Sequence, residues 1–121
     1  MDFLSAQKLL AGKPQAKENF PLGPEVAVYK VCHKMFATLA VEDGLPRINL
    51  KCDPDEAIRL RDTYPAIQPG HHMNKKHWNT VYLDGSLDSA LVAQLIDDSY
   101  ELVINNLPTA ELERLKASIN S

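Results

Sequence analysis

The densest set of chemically able side chains in this sequence is His71-His72-Met73-Asn74-Lys75-Lys76-His77-Trp78-Asn79. Lysines there can neutralise phosphates, the asparagines can hydrogen-bond to phosphates or base edges, and Trp78 can stack on a base. No carboxylate interrupts the stretch, because the chain has no acid between Asp62 and Asp84. Composition alone favours a plainer alternative, a solvated loop that Trp78 anchors to the core.

Other chemistries find less support. His71 and His72 are adjacent, so on extended chain they point apart, and His77 and His33 add no ligand spacing. With no Cys-x-x-Cys or His-x-x-x-His pair, no metal site is expected. Cys32 and Cys52 carry no nucleophile signature, and no serine sits in a Gly-x-Ser-x-Gly elbow. Asp53 and Glu56 read as helix-capping groups, not as paired catalytic acids. The five glycines are scattered and form no phosphate cradle. The expectation is a non-enzymatic protein without a cofactor.

The bulk numbers bound the elements that must position these residues. The 121 residues are one domain's worth, with 1–121 expected as a single unit. A hydrophobic share of 45% is enough for a core without staples, and no apolar run approaches the ~18 residues of a membrane span. Met1-Asp2-Phe3-Leu4 lacks the basic start of a secretion signal. A cytoplasmic monomer with reduced, structural thiols is expected. The net charge of −3 argues against a dedicated polyanion binder, yet it is uneven: +2 over residues 26–82 and −5 over residues 83–121.

Along the chain, Phe3, Leu4, Leu9 and Leu10 predict a short amphipathic helix ended by Gly12 and Pro14. Residues 20–24 are a stiff proline connector. Val26–Val31 and Met35–Val41 read as an antiparallel pair turning near Cys32-His33. Residues 42–46 read as loop and Arg47–Lys51 as a third strand, with Ile48 and Leu50 toward the core and Arg47, Asn49 and Lys51 opposite. Asp53-Pro54-Asp55-Glu56 opens a helix with a capping-box-like pattern, running to about Tyr64. A proline- and glycine-bearing stretch leads to a strand at His77–Leu83. Ser86 or Asp88 caps the longest helix, whose stripe is Leu91, Val92, Leu95, Ile96, Leu102 and Val103. Thr109 caps a last helix with Leu112, Leu115 and Ile119 on one face. Strands grouped between helices predict an α/β (α+β) two-layer sandwich, an antiparallel sheet with helices on one face.

Several motifs, in order, carry a resemblance. They are Phe20-Pro21-Leu22-Gly23-Pro24, Val28-Tyr29-Lys30-Val31 with Lys34-Met35-Phe36-Ala37, and Arg47 through Pro54. Tyr64-Pro65, His72 through Val81, Asp84-Gly85 and Ser99 through Val103 follow. Together they resemble the MmcQ/YjbR family of small bacterial proteins across nearly the whole chain. Cys32-His33 departs from it, standing where the family usually has glycine or another turn-former. The resemblance implies a CyaY-like (frataxin-like) fold with β-hairpin wings, and a DNA-binding role that itself derives from likeness to winged nucleic-acid binders. Carried onto this chain, its contact residues are Lys30, Lys34, Arg47, Lys51, Asn74, Lys75, Lys76, His77 and Trp78. The implied partner is DNA or RNA, bound weakly and salt-dependently. The alternative is a module binding a protein or small ligand. A frataxin-like metal role would need an acidic first helix, and residues 2–11 hold only Asp2.

Overall fold

The computed structural model describes residues 1–120. Four helices and six strands follow in the order α1 (Phe3–Ala11), β1 (Lys17–Asn19), β2 (Val26–Val31), β3 (Lys34–Glu42), β4 (Leu45–Lys51), α2 (Pro54–Thr63), β5 (Ile67–Pro69), β6 (Trp78–Tyr82), α3 (Ser89–Asn105) and α4 (Thr109–Asn120). The strands make one antiparallel sheet in the order β1-β2-β3-β4-β6-β5. Alternation sends Ala27, Tyr29, Val31, Leu39, Ile48, Leu50, Val81 and Ile67 to one face. There they meet Ala6 and Leu10 of α1, Leu60 of α2, Val92, Ile96 and Val103 of α3, and Leu115 of α4 in a single core. The expected two-layer α+β sandwich is the architecture that forms.

Several local expectations change. Residues 42–46 are not a loop: β3 runs to Glu42 and β4 starts at Leu45, leaving only Asp43 and Gly44 to turn. Both have positive φ, 52° and 81°, the mirror-image turn that Asp-Gly favours because it matches strand twist. Pro46 is tolerated near the start of β4, where its missing N–H costs little. Two edge strands, β1 and β5, add to the four expected. The Asp53 side chain makes no cap hydrogen bond, and Glu56 pairs instead with Arg59 one turn on. At α3 it is Asp88 that caps, accepting from the Ala90 N–H at 2.9 Å. On α4 Leu115 is buried, whereas Ile119 is exposed.

The resemblance implied β-hairpin wings; the β2–β3 and β3–β4 hairpins are paired within the sheet. A bulge between Tyr29 and Lys30 shifts the β2–β3 register. Past it, Phe36 and Lys51 are joined through α3: Ser99 Oγ, fully buried, donates to the Phe36 carbonyl at 2.6 Å and accepts from the Lys51 N–H at 2.8 Å. Phe36 also meets the Tyr100 ring edge-on at 5.3 Å. Burial, with Glu101 nearby, pushes the Tyr100 phenol up to about 12, and its hydroxyl donates to the Pro14 carbonyl at 2.6 Å.

The β2–β3 turn has Cys32 and His33 at φ 49° and 65°. Left-handed backbone costs a residue with a Cβ roughly 1–2 kcal/mol, whereas Asn-Gly suits this turn. Cys32→Asn with His33→Gly should therefore raise stability by about 1 kcal/mol after glycine's own entropy cost is subtracted. The check is a higher urea midpoint at unchanged m-value; an unchanged or lower midpoint would refute strain at this turn.

Candidate nucleic-acid interface

After β5 the chain does not run directly into β6. Gly70 donates its N–H to the Trp78 carbonyl at 2.9 Å, and the intervening loop folds back over the sheet face that carries no helix. Three polar groups hold it there. Thr80 Oγ1 accepts from the His71 N–H at 2.8 Å and donates to Asn49 Oδ1 at 2.5 Å, while Asn49 Nδ2 donates to the His71 carbonyl at 3.5 Å. Asn49 and Thr80 are cross-strand partners on β4 and β6, so pairing register closes this ring. The expectation that Asn49 lies opposite the core holds, but it is buried beneath the loop.

A second anchor comes from α2. Arg61 donates Nε to Asn79 Oδ1 at 2.6 Å and Nη2 to the Lys75 carbonyl. Asn79, on the core side of β6, also donates to the Ala57 carbonyl at 3.3 Å. No sequence pattern marked Arg61; only the non-local partner reveals its role.

The sheet register distributes the nine expected contact residues unequally. Lys30 pairs with Lys17, Lys34 with Val31, and Lys51 with Trp78, all at the end of the sheet where the β2–β3 turn lies. Asn74, Lys75 and Lys76 are exposed on the loop at this same end, and the carbonyl of half-buried His77 accepts from the Cys52 N–H. Lys51, Asn74, His77 and Trp78 also line one hollow of about 550 Å³, together with Asp53 and with Leu102 and Asn106 of α3. Arg47 does not join them. It sits at the other end of β4 in an ion pair with Glu42, its side chain 15% exposed. Trp78 is only 9% exposed, so in this conformation it anchors the loop and offers no ring for stacking.

The loop is electropositive. Partial burial, then the neighbouring His72, Arg47 and Lys75, hold the His71 imidazole below its usual range. The His71 and His72 rings lie 4.0 Å apart, centroid to centroid. Among the described residues no group of three or more His, Cys, Asp or Glu side chains is placed to hold a metal ion. Both cysteines are free. Among the described residues no helix is long and apolar enough to cross a membrane.

Packing around Trp78 is tight. A Cβ added at Gly70 would stand 2.8 Å from Trp78 Cβ and 2.9 Å from its carbonyl oxygen. Gly70→Ala should cost about 1–3 kcal/mol by overpacking, and Trp78→Ala about 3–5 kcal/mol by leaving a cavity. Urea unfolding measures both. A Trp78→Ala protein as stable as wild type would mean that the ring is not an anchor.

Comparison with known proteins agrees with the fold. The YjbR family model matches residues 11–102. The uncharacterised protein YbdF of Escherichia coli O157:H7 is 38% identical over 112 residues, covering 93% of this chain and 92% of that protein. The uncharacterised protein YjbR of Escherichia coli K12 is 36% identical over 96 residues, covering 79% and 81%. Among solved structures, the DUF419-domain protein of Deinococcus radiodurans superposes with a TM-score of 0.87 at 35% identity, covering 96% of this chain and 89% of its own. Sequence, fold and the ordered motifs agree: this chain belongs to the YjbR family.

Proposed function

We propose that this protein is a non-enzymatic nucleic-acid binder that grips the phosphate backbone with one end of its sheet. The observation that supports it is convergence: Lys17, Lys30, Lys34 and Lys51 from three hairpin strands and an edge meet Lys75 and Lys76 of the loop at that end. From β2 to β6 is three inter-strand steps, roughly 14 Å. That matches about four phosphates at 3.4 Å axial rise along one strand of B-DNA. Arg47 contributes little, since Glu42 already neutralises it. Base reading is not supported, because Trp78 is buried and no exposed Trp, Tyr or Phe lies on the loop.

Charge counting sets the expected strength. Four neutralised phosphates give a salt slope of about −3.6, so going from ~50 to ~200 mM salt weakens binding roughly 150-fold. Lys75→Glu with Lys76→Glu should abolish binding to duplex DNA, single-stranded DNA and RNA at ~50 mM salt, with little change in melting temperature because both side chains are exposed. Fluorescence anisotropy is the test. No binding by the wild-type protein at ~100 μM under those conditions would end the nucleic-acid hypothesis and leave the interaction-module alternative.

His71 gives an independent pH signature. Its imidazole pKa is depressed in the free protein, so protonation is disfavoured there, and lowering pH through the ordinary value near 6.5 costs stability. A phosphate beside it reverses the sign by favouring the cation. Binding should therefore tighten as pH falls from about 7.5 to 6, and His71→Gln should flatten that dependence. Binding that does not change with pH in the wild-type protein would place the phosphates away from this loop.

A further inference from the structure

On the opposite side of the sheet, α2 packs on β5 and β6 while α3 packs on β2, β3 and β4. The two helices straddle the β4–β6 boundary, leaving a cleft of about 380 Å³ between them. Leu50, Val81 and Ile67 of the sheet form its floor, with Leu60 of α2 and Leu95 and Leu102 of α3 as walls. A volume of this size with apolar walls is in the range of small-molecule sites.

Its rim is mostly acidic. Asp53 and Glu56 line the α2 side, Asp98 and Glu101 the α3 side, and Lys51 is the one cation in the lining. The formal balance is −3. Arg59 engages Glu56, but among the described residues no ion pair neutralises Asp53, Asp98 or Glu101. Gln94 only donates a neutral hydrogen bond to Asp98 at 2.8 Å. Cys52, also in the lining, feels these acids: its thiol is pushed up to about 11 by burial first, then by Glu56, Asp53 and Asp98, with Arg61 acting the other way.

We propose that the cleft between α2 and α3 binds a small organic cation with an apolar body, an arylalkyl amine being the simplest member. The apolar part lies against Leu60, Leu95 and Val81, while the ammonium group faces the carboxylates of Asp98 and Glu101. An anionic ligand would meet the rim as a like charge, and a neutral one would forgo the attraction. Lys51, Cys52, Asp53 and Leu102 line both this cleft and the hollow beside the loop, but the cleft takes a ligand opposite in charge to the polyanion proposed for the loop, so the two can be tested separately.

The experiment titrates the full chain with phenethylamine, phenethyl alcohol and hydrocinnamate, following side-chain methyl signals by NMR. The amine should shift the methyls of Leu60, Leu95, Leu102 and Val81, and should bind at least about fivefold tighter than the alcohol, the factor one water-screened charge contact supplies. Hydrocinnamate should bind most weakly. Asp98→Asn with Glu101→Gln, both at exposed helix positions, should lower amine affinity to that of the alcohol and leave the alcohol unchanged. Shifts at other methyls, an amine no tighter than hydrocinnamate, or a double variant with undiminished amine affinity would each overturn the proposal.

Discussion

The junction of Arg61 with Asn79 fixes both surfaces of this molecule. Asn79 presents its amide to α2, donating to the Ala57 carbonyl and accepting from Arg61. That pair sets where α2 lies on β6, hence one wall of the cleft. The same guanidinium donates to the Lys75 carbonyl, hence the position of the cationic loop. Its acceptors are neutral, the Asn79 one part-buried and the Lys75 one exposed, and charge-assisted bonds are roughly twice as strong as neutral ones. Because these acceptors cancel none of its charge, Arg61 adds to the positive field while holding the loop in place.

The sheet needs comparable help where its ladder parts. The Tyr29/Lys30 bulge leaves Phe36 O and Lys51 N without each other, and an unmet buried group costs about 1–3 kcal/mol. Ser99 satisfies both with one hydroxyl, and in doing so ties α3 to the end of the sheet that carries the lysines. The Thr80–Asn49–His71 ring performs the same service on the other face, so both of these departures from regular pairing are met by side chains.

What could be read from the residues follows from range. Val26–Val31, Arg47–Lys51, the α2 start at Pro54 and the α3 stripe carry their signals in consecutive residues, and all appear. Lys17–Asn19 has no apolar alternation and is exposed throughout, while Ile67-Gln68-Pro69 contains a proline; each becomes a strand only because a longer neighbour lends it a partner. Charge and loop position at Lys75 and Lys76 were legible. The pairing of Arg47 with Glu42, which takes it out of the cationic set although it lies near His71, was not, because a hairpin register brings the two together. Nor was the cleft, whose lining joins Asp53 and Glu56 to Asp98 and Glu101 across some forty residues of chain.

The polarity across the sheet decides how a net charge of −3 can coexist with a phosphate-binding end. Adjacent packed layers stand roughly 8–10 Å apart. At physiological ionic strength the Debye length is about 8 Å, so those acids of the helical layer that lie farther than this from a phosphate beside Lys75 and Lys76 are largely screened. At 0.01 M it is about 30 Å, and the whole acidic helical layer is felt. Contact strength is therefore governed by the local lysines, and long-range approach by the net charge. These act oppositely as salt falls: fewer competing counterions favour the contact, while global repulsion grows. For this chain the salt dependence should be steep near physiological strength and flatten toward ~0.01 M, unlike a uniformly basic binder, for which both effects have the same sign.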